Sequence, residues 1–251
     1  ERIHRLQLHA NYNYEDFVAG FQLINHETKP VEGKLFEICK AAREDKQQLP
    51  HVLILDEINR IDLSRLFGEV FSALENREET IDLSIGKLKL TIPSNLYVIG
   101  TMNEIDFSLE RIDFALRRRF LWFFYGFDRD ILTAMIWDKN KKLNTHLSPQ
   151  EVDRFVNNAE ALNNEIINLQ ELGEQYQVGH TFFAEVIDIY LSYKELNGYT
   201  NRIKNKLYRD GGAASILWKI SIEPMLSAFL GNMDKGSKDE KLNEFKECYF
   251  K

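Results

Sequence analysis

His51-Val52-Leu53-Ile54-Leu55-Asp56-Glu57-Ile58-Asn59-Arg60 is the stretch whose reading decides the fold. Four apolar residues run straight into two carboxylates. A short apolar run bounded by a turn signal reads as a buried strand, and Pro50 marks its start. No apolar surface can accept Asp56 and Glu57, so both should emerge at the strand's carboxyl end. That end is where open α/β sheets bind ligands. An Asp there can hold a magnesium ion, directly or through water, and a Glu one residue on can polarise an attacking water. The plain structural alternative is a buried strand that runs into an acidic helix cap.

Upstream, residues 2–9 read as a strand. Asn13 caps a short helix expected to reach residue 21, with Asp16 in its first turn, and residues 23–30 read as loop. Over 34–45, Leu35, Ile38, Cys39 and Ala42 fall on one helical face. Downstream, a helix is expected over 63–76, with Leu66, Phe67, Val70, Phe71 and Leu74 as its stripe. Ile81, Leu83 and Ile85 alternate, as do Leu88, Leu90 and Ile92, with Gly86-Lys87 between them. That is a hairpin with a type II′ turn. Pairing 85 with 88 pairs 83 with 90 and 81 with 92, and places all six apolar residues on one face. Residues 96–101 read as a second buried strand, 109–117 as a helix ending in Arg117-Arg118-Arg119, and 120–124 as a third buried strand. Strands alternating with helices imply a parallel sheet.

Past Asp128 the pattern is helical. Ile131, Leu132, Met135 and Ile136 form one stripe. Ser148-Pro149-Gln150-Glu151 is a capping box with Pro at the first helical position, and it opens a helix with Val152, Phe155, Val156, Ala159 and Leu162 inward. Gly179-His180-Thr181-Phe182-Phe183 and Gly211-Gly212 interrupt. Residues 213–230 are helical, with Pro224 starting their second half, and the lysine-rich tail from Asp234 reads as a solvated helix or frayed end. The expected division is an α/β part over 1–127 and a smaller all-α part over 128–251.

Composition narrows the function classes. The chain has 251 residues, 44% apolar and 28% charged, which suits a globular protein with a sizeable core. A net charge of −7 argues against a nucleic-acid glove. No apolar run approaches the ~20 residues of a membrane span, and no signal peptide opens the chain. Only Cys39 and Cys248 are present, without metal-ligand spacing. They read as thiols of a reducing, cytoplasmic compartment. The six His residues form no zinc-type cluster.

Three features converge on one chemistry. The strands over 52–56 and 96–101 end in Asp56-Glu57 and, two residues past Thr101, in Asn103. In a parallel sheet those ends share a rim, where the acids have the form of the Walker B motif of nucleoside triphosphatases. Asn103 could orient the water that Glu57 activates, because an amide both donates and accepts. The arginine run complements a helix dipole, but three arginines exceed what a cap needs. The sharper reading is an arginine finger reaching the γ-phosphate held by the next subunit.

The chain resembles AAA+ ATPases, and more narrowly the McrB-type GTPases of modification-dependent restriction systems. The resemblance rests on Tyr14 to Phe21 (YEDFVAGF), Leu55-Asp56-Glu57-Ile58-Asn59-Arg60, Leu66-Phe67-Gly68-Glu69-Val70, Gly100-Thr101-Met102-Asn103-Glu104-Ile105-Asp106, Phe114-Ala115-Leu116-Arg117-Arg118-Arg119-Phe120 and Gly179-His180-Thr181-Phe182-Phe183. MoxR-type ATPases share only the outline. The resemblance implies a AAA+ P-loop NTPase core followed by a helical lid. It gives Asp56 to magnesium, Glu57 to water activation, and Asn103 and Asp106 to the signature pair needed for hydrolysis. It makes Arg118 and Arg119 finger candidates, has Arg60 act across a subunit boundary, and has His180 contact nucleotide from the lid. It also implies GTP or ATP as substrate, a hexameric ring, an McrC-like nuclease partner, and DNA engaged through the assembly and an upstream domain.

One departure matters. No G-x-x-x-x-G-K-[ST] occurs in the chain, and the Gly-Lys pairs at 33–34 and 86–87 lack its spacing. Nothing else supplies the backbone N–H cradle and Lys that phosphates need. The expectation is a fragment that begins after the P-loop and is inactive alone, with the missing first strand belonging between the segments 96–101 and 120–124. A MoxR-like ATP-driven remodeller and a non-catalytic ring or adaptor module are the competing readings.

Overall fold

A computed structural model of the chain describes residues 2–103, 105, 117–143, 147–197, 207–208 and 211–251. Asp106 and nearly all of the helix expected over 109–117 lie outside the described residues. The chain divides into two compact units, Glu1–Phe123 and Phe124–Lys251.

In the first unit, β1 (Ile3–Gln7) leads to α1 (Tyr14–Phe17), the antiparallel strands β2 (Ala19–Ile24) and β3 (Glu27–Glu32), and α2 (Lys34–Glu44). Next come β4 (His51–Asp56), a 3₁₀ turn (Ile58–Arg60), α3 (Leu63–Phe67) and α4 (Val70–Glu75). The short strands β5 (Thr80–Asp82) and β6 (Lys89–Thr91) and then β7 (Leu96–Gly100) complete the described elements. The described sheet has the order β1-β4-β7, with both pairings parallel. Its register puts Leu6, Leu53, Leu55, Leu96 and Val98 on a face that shares one core with Leu35, Ile38, Cys39 and Ala42 of α2. Burial pushes the Cys39 thiol up to about 12, so this cysteine is a packing residue. The alternate residues of the sheet are open: Ile3, Tyr97 and Ile99 are half or more exposed, and Val52 and Ile54 are partly so. β4 is thus buried on one face only, where the apolar run had suggested two.

Several local expectations change for identifiable reasons. The Asn13 side chain accepts from the Asp16 N–H at 3.1 Å, as a cap should, but α1 ends at Phe17 and residues 19–32 form a hairpin in place of helix and loop. Asn25 and His26 at its tip both have φ in the left-handed region, 52° and 64°, which fits the right-handed twist of paired strands. The helix expected over 63–76 breaks at Gly68, whose φ of 49° and ψ of −129° only glycine tolerates readily. The Glu69 carboxylate beside the break accepts from the Ser84 N–H at 2.9 Å and the Ser84 hydroxyl at 3.0 Å.

That contact also resets the β5–β6 hairpin. With the Ser84 N–H taken, Leu83 donates to the Leu88 carbonyl, and Ile81 faces Leu90 instead of Ile92. The slip is two residues, so every side chain keeps its face. Leu83, Leu90 and Ile92 are buried and Ile81, Ile85 and Leu88 pack against them. Gly86 and Lys87 both have positive φ, which is type I′ and not II′ character.

Residues 120–124 do not form the third strand. They join no ladder among the described residues, and Leu121 and Phe123 are 86% and 87% exposed. A strand exists only through a neighbour that takes its backbone groups, and no described strand lies beside this run.

The second unit comprises α5 (Arg129–Leu143), α6 (Pro149–Asn168), a 3₁₀ turn (Glu174–Tyr176), α7 (His180–Asn197) and α8 (Ala213–Leu217). A π turn (Trp218–Ile222), α9 (Glu223–Phe229) and α10 (Lys235–Phe250) follow. The Ser148/Glu151 capping box forms in full at the start of α6. Val152, Phe155, Val156, Ala159 and Leu162 are buried, and the Phe155 ring meets those of Phe183, Tyr208 and Tyr249 at 6.0–6.3 Å. The tail is neither frayed nor solvated all round. Asp234 caps α10 by accepting from the Gly236 and Ser237 N–H groups at 3.0 and 3.2 Å, and Phe245 and Tyr249 are fully buried. Asn158 Nδ2 donates to the Tyr249 carbonyl at 3.1 Å. Among the described residues no helix is long and apolar enough to cross a membrane.

The break at Gly68 supplies a direct test. A Cβ there would sit 3.0 Å from the Tyr14 ring and force a left-handed φ on an L residue. Gly68→Ala is expected to lower stability by about 1–3 kcal/mol, read as a lower urea midpoint with an unchanged m-value.

Candidate functional site

The parallel register brings three strand ends together. Gln7 pairs with Asp56, and Leu55 pairs with Gly100. The backbone continues the ladder past the strands: Leu8 N–H donates to the Asp56 carbonyl at 3.0 Å, Thr101 N–H to the Leu55 carbonyl at 2.9 Å, and Ile58 N–H to the Thr101 carbonyl at 2.9 Å. Asp56, Glu57, Thr101 and Asn103 therefore share one rim, at the carboxyl ends where α/β sheets bind ligands.

Each acid on the rim is held from two sides. Asp56 Oδ1 accepts from the Thr101 hydroxyl at 3.0 Å, and Oδ2 lies 3.3 Å from Arg5 Nε. Glu57 Oε2 lies 2.9 Å from Arg60 Nε and 3.4 Å from Gln7 Nε2, while the Glu57 N–H reaches Thr101 Oγ1 at 3.4 Å. These ion pairs are solvent-accessible and worth little stability, roughly 0–1 kcal/mol each. Their role is to aim the carboxylates.

Glu57 itself adopts the left-handed conformation, φ 60° and ψ 49°. For a residue with a Cβ this costs about 1–3 kcal/mol and is found mostly where function needs it. The turn lets Ile58 fold back over the sheet end. A Cβ on Gly100 would sit 2.8 Å from Ile58 Cδ1 and 3.0 Å from Cγ2, so any larger residue there would make the Ile58 side chain shift.

Asn103 is exposed, yet its oxygens are occupied. Its Oδ1 accepts from the Ile105 N–H at 3.2 Å, and its carbonyl accepts from Asn59 Nδ2 at 3.0 Å. The Asn103 Nδ2 makes no hydrogen bond to another described residue. Asn59 is 6% exposed, and its Oδ1 is buried without a partner. An unmet buried acceptor costs roughly 1–3 kcal/mol.

The remaining candidates lie elsewhere. Arg119 Nε pairs with Glu75 at 2.8 Å and its guanidinium lies 5.6 Å from the Phe71 ring centre, both on α4. Arg118 is exposed and makes no ion pair with another described residue. Arg117 lies over the Trp122 ring, whose indole N–H donates to the Arg117 carbonyl at 2.8 Å. His180 opens α7 in the second unit, edge-on to Tyr125 at 5.8 Å, with its Nδ1 buried and unpartnered. Asp106 lies outside the described residues.

Sequence reasoning missed Arg5, Gln7, Asn59 and Thr101. Arg5 and Gln7 flank Leu6 in β1 and lie on the opposite face of the sheet from it. Only the register shows that this face meets Asp56. Among the described residues no group of three or more His, Cys, Asp or Glu side chains could hold a metal ion by itself. The hard oxygen donors of Asp56 and Thr101 suit magnesium, which usually takes one or two carboxylates and keeps water and phosphate oxygens for the rest.

Comparison with known proteins places these residues in context. Residues 1–120 match the AAA domain (dynein-related subfamily). The chain is 32% identical over 194 residues to the Type IV methyl-directed restriction enzyme EcoKMcrB subunit of Escherichia coli K12, a match covering 73% of this chain and 41% of that protein. It is 26% identical over 124 residues to the Type II restriction enzyme BsuMI component YdiS of Bacillus subtilis 168, covering 43% of this chain and 35% of that protein. The chain spans less than half the length of either relative.

The strained acid yields a stability prediction. Glu57→Gly relieves the left-handed backbone and is expected to raise stability by up to about 1 kcal/mol, even though it removes the Arg60 ion pair. Urea unfolding of the two proteins checks this. A Gly variant less stable than the parent would mean that the turn is not strained.

Proposed function

From a chain that is an McrB-type AAA+ protein, we propose the nucleotide-hydrolysing part of a motor subunit in a modification-dependent DNA restriction system. The observation that carries this reading is the rim itself. Asp56 at the end of one strand, Glu57 just past it and Asn103 beyond the next strand are cross-braced by Thr101 and Asn59. A decayed site would have no reason to keep a strained Glu and its bracing.

In the proposed chemistry, Asp56 with the Thr101 hydroxyl holds magnesium, which neutralises phosphate charge when bound. Glu57 accepts the proton of the attacking water, and Arg60 and Gln7 hold its carboxylate. Asn103 offers Nδ2, which has no partner among the described residues, as a donor to the water or the terminal phosphate, while the Ile105 N–H holds Oδ1. Asp106 completes the signature pair. Arg118 is the favoured finger, because Arg119 is engaged with Glu75 and Phe71. A finger must reach the neighbouring subunit of a ring, expected to be a hexamer, and Arg60 acts at the same boundary. His180 meets nucleotide from the second unit, which is the lid of this proposal, with 1–127 as the catalytic part.

The phosphate-cradling loop is supplied by a segment outside these 251 residues. Two features support a missing strand beside β7: among the described strands β7 is the edge of its sheet, and the apolar run at 121–125 is exposed and joins no described ladder. GTP is the proposed fuel, an McrC-like nuclease the partner, and DNA the substrate of the assembly, engaged through a further domain.

The test is nucleotide turnover by the whole protein, comparing GTP with ATP, with and without the nuclease partner. GTP hydrolysis raised by the partner supports the restriction motor. ATP hydrolysis indifferent to the partner points to a remodeller, and no hydrolysis points to an adaptor. Glu57→Gln should keep nucleotide binding and lose about 100-fold or more in kcat.

Arg118→Ala should cost about 10³-fold or more, with Arg119→Ala milder. Mixing Arg118→Ala subunits with Glu57→Gln subunits should restore part of the turnover, because some interfaces then combine an intact Glu57 with an intact Arg118. Mixed assemblies no more active than their parents would count against a finger acting between subunits.

A further inference from the structure

We infer that Asn59 is a positioning residue for hydrolysis at this rim, acting through Asn103; the inference rests on the function proposed above. The Asn59 amide is buried at 6% exposure and donates Nδ2 to the Asn103 backbone carbonyl at 3.0 Å. The Asn103 side-chain oxygen is meanwhile taken by the Ile105 N–H at 3.2 Å. The Asn59 amide holds the Asn103 backbone, and the Ile105 N–H turns Oδ1 inward, so Nδ2 is the group left to point away from this turn. Asn59 thereby fixes where the donor sits relative to Glu57, two residues before it in the same turn.

The choice of residue type supports a role beyond packing. The group opposite is a carbonyl, so the site needs an N–H donor. Asp would set a carboxylate against it, and an aliphatic residue would leave it unpaired. The amide orientation is fixed by the same argument, since a flipped amide would oppose two oxygens. Asn59 retains a second polar atom, Oδ1, that is buried and unpartnered. Simple packing would favour a residue without that atom. Asn59 also bridges the two loops on which the site is built, the one after β4 and the one after β7, so its loss would let them move independently.

The experiment uses the whole protein, with Asn59→Asp, Asn59→Ser, Asn103→Ala and the Asn59→Asp/Asn103→Ala pair. Steady-state turnover and nucleotide KM are measured for each, with thermal unfolding alongside. Each Asn59 variant should lose about 10- to 100-fold in kcat, as a misplaced catalytic group does, while KM moves by less than about threefold. In the Asn103→Ala background the Asn59→Asp change should cost less than about twofold more, because residues acting as one unit are not additive. If Asn59→Asp fails to fold, Asn59→Ser carries the test, read as the same kcat loss and paired with Asn103→Ala. Turnover within twofold of the parent in the Asn59 variants, with turnover lost in Asn103→Ala, would overturn the inference alone. So would a fully additive loss in the double variant, which is the mark of a purely structural residue. Unchanged turnover in Asn103→Ala would instead overturn the reading of the rim, and the inference with it.

Discussion

Parallel pairing of β4 between β1 and β7 is the constraint on which the first unit depends. Parallel neighbours point their carboxyl ends the same way, so three separate chain segments deliver their last residues to one rim. Asp56 then meets Arg5 from one side and Thr101 from the other without any dedicated loop. Had β7 run antiparallel, Thr101 and Asn103 would lie at the far end of the sheet. The core under the sheet, from Leu53 and Leu55 to α2, sets that register by giving one face of every strand a place to be buried.

The rim is built against local preference and held there by its surroundings. Glu57 is left-handed without being glycine, Gly100 gives up its side chain to Ile58, and Asn59 buries an unmet acceptor. Each feature costs stability taken alone. Together they draw the turn after β4 down onto the turn after β7, which brings a carboxylate and an amide donor onto one edge. A similar logic acts at a distance from the rim. Gly68 ends one helix, and the Glu69 carboxylate beside it holds Ser84 in a hairpin whose register lies two residues from the one its alternation suggests.

The second unit follows a different economy. Four of its helices run 15 to 20 residues, Ser148 and Asp234 cap two of them, and its core is aromatic, centred on Phe155, Phe183, Trp218 and Tyr249. The π turn at Trp218–Ile222 precedes Pro224, whose missing N–H would otherwise leave a gap in a regular helix. The final helix is charged along most of its length, yet two aromatic residues near its end close the core.

By itself the sequence determined the features that depend on residues a few positions apart. These are the strand over 52–56 with acids at its end, the buried stripe of α2, the Asn13 cap, the Ser148 capping box and the inward face of α6. Periodicity, caps and turns are local interactions, and the residues that make them are written side by side. Tertiary structure alone decided what depended on distant partners. The β2–β3 hairpin, the break at Gly68, the β5–β6 register, the burial of Tyr249 and the exposure of 121–125 are each set by a neighbour tens of residues away or by the lack of one. The site divides in the same way. Asp56, Glu57 and Asn103 could be read as chemistry in the chain, but Arg5, Thr101 and Asn59 acquire a role only when the sheet register sets them against those residues, because a hydrogen bond across 40 or 50 residues leaves no local trace.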